Sequence, residues 1–211
     1  MEAVTETSHT FRRNRGGIAI LACGALAREI IDIVQLNRWK HVDVQCLPAH
    51  LHHRPSLIPP AVRTKLKEMK PHYDQIVVAY GDCGTSGELD AVLAEAGVDR
   101  IAGPHCFAFY DGINRFGTDP EDITTFYLTD FFCRHFERFV WQAFGLNRRS
   151  DMVEFVFGHY RRLVYLAQND DEDLHERAQD CARRLGLSFE RRPVGYGDLL
   201  PFLKQAVGRP S

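Results

Sequence analysis

The stretch Ile76-Val77-Val78-Ala79-Tyr80-Gly81-Asp82-Cys83-Gly84-Thr85-Ser86-Gly87-Glu88 decides the fold class. Its first half is a continuous apolar run of β-branched and aromatic residues, the pattern of a strand buried on both faces, as strands of parallel sheets are. Its second half is a glycine-rich turn. Thr85 and Glu88 are spaced as a capping box for a helix that stops at Gly97. A buried strand, a tight turn and a helix make one half of a βαβ unit, so the flanking sequence should repeat the alternation.

It does so upstream. Ile18 to Cys23 predicts a first strand, and residues 25–38 a helix with Leu26, Ile30, Ile33 and Val34 on one face. Val42 to Leu47 predicts a second strand. A loop with four prolines follows between Pro48 and Pro60, then a short basic helix over 61–70 ended by Pro71. Downstream, Arg100 to Ala102 predicts a short fourth strand. From Phe107 to Tyr160 the aromatics crowd together at spacings of 3 and 4, which predicts an inserted layer of two helices over 125–144 and 151–160. Alternation then resumes with a strand over 162–167, a helix over 171–185, a strand over 188–194 and a helix over 198–207. The expected fold is α/β: a doubly wound, mostly parallel sheet of five or six strands with an aromatic-rich helical insertion at 107–160. It forms a single domain over 17–208 behind a disordered tail at 1–16.

Composition narrows the function classes. The formal net charge is −2, from 26 basic and 28 acidic side chains, and no basic stripe interleaves with aromatics, so nucleic acid is not an expected partner. No apolar run reaches the roughly 18 residues of a membrane helix. The apolar stretch from Ile18 meets Arg28 and Glu29 too early for a signal peptide, and a cytoplasmic location is expected. Six cysteines in a core-rich chain of 211 residues then suggest unpaired thiols or metal ligands, not a disulfide framework.

Three of those cysteines share a position. Cys23, Cys83 and Cys106 each lie just beyond a predicted strand, with Gly24, Gly81, Gly84 and Gly103 nearby. Ligands of open α/β sheets collect beyond the carboxyl ends of the strands, at the point where strand order reverses. With a strand order of 2-1-3-4, the three thiols would leave adjacent strands on one edge. The glycines leave room and backbone N–H groups beside them. Three thiolates with an open position suit a [4Fe–4S] cluster, and three thiolates with His105 suit a tetrahedral zinc. Asp82 and His105 are the candidates for moving protons, and Gly24 and Gly84 for close approach of a bound cofactor. Free cysteine also packs as a small hydrophobe, and Cys46, Cys133 and Cys181 read that way. His50, His52 and His53 read as a solvated loop, and Gln168, Asn169 and Tyr196 as turn or rim residues. There is no GxxxxGK[ST], no GxGxxG after the first strand and no GxSxG elbow.

The segments Cys23-Gly24-Ala25-Leu26, Leu47-Pro48-Ala49 with His52 and Pro55, Tyr80-Gly81-Asp82-Cys83-Gly84-Thr85, Gly103-Pro104-His105-Cys106, Thr125 to Phe131, Tyr165-Leu166-Ala167-Gln168 and Gly195-Tyr196-Gly197 together resemble the bacterial and archaeal family known as domain of unknown function 1638. The resemblance spans about residues 18–207 and includes the three strand-end cysteines. Members of that family often occur near corrinoid-dependent methyltransferase systems for methylated amines. The resemblance therefore implies a role in one-carbon or methyl transfer, with a methyltransferase or corrinoid protein as partner. The chain has no Asp-x-His-x-x-Gly motif to carry the corrinoid itself. The expected function is that of a metal- or iron–sulfur-binding protein acting on a small polar substrate through the three-cysteine site. The alternatives are a metallochaperone or accessory module of a methyltransferase, or a zinc-thiolate protein.

Overall fold

Six parallel strands pair as two sheets of three in the computed structural model, which describes residues 17–149 and 151–208. The expected tail at 1–16 lies outside the described residues. The first sheet has the order β2-β1-β3, built from β1 (Gly17–Cys23), β2 (Val42–Leu47) and β3 (Tyr73–Ala79). The second runs in sequence order, from β4 (Thr125–Thr129) through β5 (Arg162–Ala167) to β6 (Ser188–Pro193). The chain clusters accordingly into two compact units. One holds the described residues through Cys106 and those from Leu199 on, and the other is Phe107–Asp198.

The helices are α1 (Ala27–Leu36), α2 (Ile58–Met69), α3 (Glu88–Ala96), α4 (Cys106–Asp111), α5 (Asp130–Arg134), α6 (Met152–Phe157), α7 (Glu172–Leu185) and α8 (Leu199–Val207). In the first unit β1 is fully covered, with Ala19 through Ala22 at 0% exposure, as a central parallel strand should be. Crossovers between parallel strands of one sheet are right-handed as a rule, and the chain moves from β1 outward to β2 and then back past β1 to β3. That reversal sends α1 and α2 to opposite faces, which is the doubly wound arrangement, and makes the gap between β1 and β3 the switch point. The fourth strand expected at Arg100–Ala102 shrinks to a single bridge between Val78 and Arg100. Gly103 and Pro104 follow at once and cannot extend a ladder.

In the second unit the expected helix over 125–144 is corrected. Thr125-Phe126-Tyr127-Leu128-Thr129 is a strand, in register with Arg162 through Leu166 of β5. Two β-branched ends around three β-formers carry the local preference, and the Thr129 hydroxyl then accepts from the Phe132 amide at 3.5 Å to start α5. A π-helical turn over Glu137–Trp141 continues the aromatic layer. Because β4, β5 and β6 follow in order, both crossovers fall on one face, and α5 packs beside α7. The carboxyl edge of this sheet is closed by Asp130, which is completely buried. Its carboxylate accepts from the Tyr165 hydroxyl at 2.7 Å, the Asn169 side chain at 2.7 Å and the Gln168 amide at 3.2 Å.

Candidate functional site

Cys23 is the last residue of β1 and opens a 3-10 turn over Gly24–Leu26. Parallel pairing sets Ala22 opposite Ala79, so Cys23 and Tyr80 follow as the next pair on a shared face at the switch point. The same logic excludes Cys46. It is in register with Ala22, one residue off, so its side chain points to the opposite face from Cys23.

Cys83 is carried by the turn after β3, and the turn is held against the segment that ends in Cys106. The Asp82 amide donates to the Gly103 carbonyl at 3.1 Å and the Cys83 amide to the Pro104 carbonyl at 2.6 Å. Gly81 permits this. A Cβ there would stand 2.5 Å from the Cα of His105. Cys83 itself adopts a left-handed conformation, with φ of 51°, and so does Ser86, with φ of 54°. Non-glycine residues there cost about 1–3 kcal/mol each.

Asp82 supplies the opposing hold. Its carboxylate accepts from the Thr85 hydroxyl at 2.6 Å and from the Gly87 and Ser86 amides at 3.0 and 3.1 Å. Burial opposes its ionisation, but the Thr85 hydroxyl, the two amides and the Arg100 charge outweigh burial and lower its pKa. The structure thus places Asp82 in the frame of the loop. Thr85 serves Asp82 instead of completing the expected capping box, and α3 begins at Glu88 after Gly87.

The three thiols share one neighbourhood. Burial raises the pKa of Cys23, opposed by the Ala25 amide and by the nearby Tyr80 hydroxyl. Burial also pushes Cys83 up to about 12, reinforced by the field of Cys23 and opposed by a hydrogen bond from the Cys106 amide. Cys106 is raised well above the ordinary thiol value by burial, then by Cys83 and Cys23. The field of Cys23 thus reaches Cys83, both reach Cys106, and burial keeps all three protonated at neutral pH. All six cysteines are free thiols. Among the described residues no three His, Cys, Asp or Glu side chains stand close enough together to grip a single metal ion.

Other predicted site residues frame the cluster. Gly24 lets the Leu47 carbonyl and the Ala49 amide approach to 3.0 and 3.2 Å of where a Cβ would sit, and Gly84, at φ of 83°, packs on Pro55. The segment from Ala49 to Pro55 thus lies against both cysteine-bearing turns. His52 belongs to it, contacts the Ala49 carbonyl at 2.6 Å through Nδ1 and is held neutral by burial. His105 is also kept neutral by burial, which lowers its pKa to about 4. Gln168 and Asn169 serve the Asp130 network in the other unit.

Two residues escaped sequence reasoning. Tyr80 is 1% exposed, and the three thiols raise its pKa alongside burial. Its hydroxyl faces Cys23 without reaching a regular hydrogen bond, and so stays an unsatisfied buried polar atom. The register with Cys23 was the available signal. Glu29, which the helical periodicity set on a polar face of α1, is 4% exposed and within the field of Cys106.

A protein-family model described as protein of unknown function (DUF1638) matches residues 46–203. The chain belongs to the DUF1638 family. Cys83 and Cys106 lie inside the DUF1638 match, whereas Cys23 and the rest of β1 precede it. No curated protein and no solved structure matches the chain. No described helix is long and apolar enough to cross a membrane.

Proposed function

We propose that the chain is a metal-binding protein whose site is the trio Cys23, Cys83 and Cys106, and that the bound group is a [4Fe–4S] cluster. The observation that carries this reading is the gathering of three thiols, Cys23 buried and Cys83 and Cys106 part-buried, at the switch point around the unsatisfied Tyr80 hydroxyl. A thiol pKa raised by burial disfavours a free nucleophilic thiolate, so thiol catalysis is the weaker use of these side chains. Zinc bonds sulfur at about 2.3 Å and needs its donors tightly gathered, and no three donors stand so among the described residues. A cluster spans a wider set of thiolates, and the Ala25 and Cys106 amides already aim at two of the sulfurs.

An iron left without a cysteine ligand supplies Lewis acidity towards a small polar substrate. His105, neutral and next to Cys106, is the side chain placed to accept a proton there, while Asp82 holds the loop. The family resemblance points to one-carbon chemistry, with a methyltransferase or corrinoid protein as partner, and the lack of a signal-peptide pattern favours the cytoplasm. The test is anaerobic reconstitution of the full chain with ferrous iron and sulfide, with metal analysis of protein purified with and without air. A broad visible charge-transfer band, lost in C23S, C83S and C106S singly and kept in C46S, supports the cluster. A band kept in all three variants overturns it. Stoichiometric zinc with no band replaces it with a zinc-thiolate site.

A further inference from the structure

The unit Phe107–Asp198 holds a second thiol centre. Cys133 lies on α5 and Cys181 on α7, the two helices that the sequential order of β4, β5 and β6 sets side by side. The Cys133 thiol reaches across to α7 and donates to the Leu174 carbonyl at 3.3 Å, and Cys133 is near enough to Cys181 to raise its pKa. Both residues are only 4% exposed. They nevertheless line a cavity of about 570 Å³ together with Glu137, Asp173, Arg177 and Arg184. Glu137, Asp173 and Arg177 are exposed, so the cavity opens to solvent.

The arrangement matches what disulfide formation needs: two thiols on neighbouring helices from distant parts of the chain, at the wall of a space that admits a reagent. We propose that Cys133 and Cys181 are a reversible dithiol–disulfide site, oxidised by exchange with a small-molecule disulfide that enters this cavity.

The chemistry balances in two displacements. Cys133 gives up its proton, and its thiolate attacks one sulfur of the reagent. The reagent S–S bond breaks, a Cys133 mixed disulfide forms, and one reagent thiolate leaves and takes up the Cys133 proton. Cys181 then loses its proton and attacks the Cys133 sulfur, which expels the second reagent thiolate. Two electrons and two protons pass from the protein pair to the reagent, which departs as two thiols. The product is a covalent tie between α5 and α7 across the cavity wall.

Treatment of the full chain with oxidised glutathione, alkylation of remaining thiols and tryptic peptide mapping without reductant test this directly. Cys133 and Cys181 fall in separate tryptic peptides, Phe116 to Arg134 and Ala178 to Arg183. The expected product is those two peptides joined, short by the mass of two hydrogens, separated again by dithiothreitol and absent from C133S and C181S. Exposed Cys46 serves as the internal control for an active reagent. The proposal is overturned if Cys46 is glutathionylated while Cys133 and Cys181 remain alkylatable. It is also overturned if each of the pair carries glutathione singly, or if either links to another cysteine. The readout needs no metal, so it stands or falls separately from the three-cysteine site.

Discussion

Substituting Gly81→Ala tests the frame on which the three-cysteine site depends. The new Cβ would lie 2.5 Å from the Cα, 2.9 Å from the carbonyl carbon and 3.1 Å from the nitrogen of His105. All three are backbone atoms, so no side-chain rotation relieves the clash and the two segments must separate. Overpacking of this kind costs about 1–3 kcal/mol. Separation also strains the bonds from the Asp82 and Cys83 amides to Gly103 and Pro104, at about 1 kcal/mol for each one lost. Reduced freedom of the unfolded chain returns about 0.4–1 kcal/mol, since Gly81 is not among the positive-φ glycines and alanine can adopt its backbone. The net expectation is a loss of about 2–4 kcal/mol. Gly24→Ala is the matched comparison. Its Cβ would meet the Leu47 carbonyl oxygen at 3.0 Å, which a shift of a few tenths of an ångström relieves, for about 1 kcal/mol. Urea unfolding of both variants, with hydrogen exchange read at the Asp82 and Cys83 amides, gives the ranking. A Gly81→Ala protein within about 0.5 kcal/mol of wild type, with those amides still protected, would refute the account of this loop.

Tyr80→Phe removes an unsatisfied buried hydroxyl, so the metal-free variant should be more stable by about 1 kcal/mol in urea; a loss of that size would mean that the Cys23 contact is a full hydrogen bond. Arg192 pairs with Asp111, whose side chain is 1% exposed. Arg192→Met should therefore cost about 3 kcal/mol by leaving a buried carboxylate short of its main partner, and an unchanged unfolding midpoint would count against that pair. His52 is lowered from 6.5 to about 4 by burial, then by His53 and His50 against the Ala49 carbonyl. Its folded pKa lies below its unfolded one, so its contribution is whole above pH 6.5 and is lost as pH falls from 6.5 towards 4, by about 2 kcal/mol at pH 5. Unfolding of wild type and H52Q at pH 7 and pH 5 should show the smaller acid loss in the variant, and equal losses would dismiss His52 as the cause.

Strand-type reading worked for the continuous apolar run within Arg162–Ala167 and for the mixed, alternating Val42–Leu47, which both stand where the pattern sets them. It failed at Thr125–Thr129 because the aromatic spacing of the following helix runs back into the strand, and periodicity cannot distinguish a five-residue buried strand from the start of a helix. That one error concealed more than a boundary. With 125–144 read as helix, Cys133 lies on a long element of its own and nothing relates it to Cys181. With β4 in place, α5 and α7 become consecutive crossovers on one face of one sheet, and the two cysteines come to one cavity wall. The Cys23 neighbourhood was more legible because it needed only the order of β1 and β3. Tyr80 and Glu29 were not, since their burial depends on what packs over them, which no local pattern encodes.

The two sheets treat their carboxyl edges differently, and topology gives the reason. In β4-β5-β6 the crossovers never reverse, so no gap opens between neighbouring strand ends. Asp130 fills that edge and receives hydrogen bonds from Tyr165, Asn169 and Gln168, which leaves a buried carboxylate already committed to its own protein. In β2-β1-β3 the reversal separates the turns after β1 and β3, and the groups that reach the gap are thiols carrying protons and a phenol without a partner. Buried polar groups that the fold leaves unsatisfied cost stability, so their persistence at a switch point argues for an occupant that satisfies them, whereas the saturated Asp130 network needs none. The Cys133–Cys181 pair differs again: it sits on helices, and the Cys133 thiol already has a partner in the Leu174 carbonyl. The two proposals thus assign the same side chain to ligand capture in one unit and to thiol exchange in the other, according to where the crossovers deliver it.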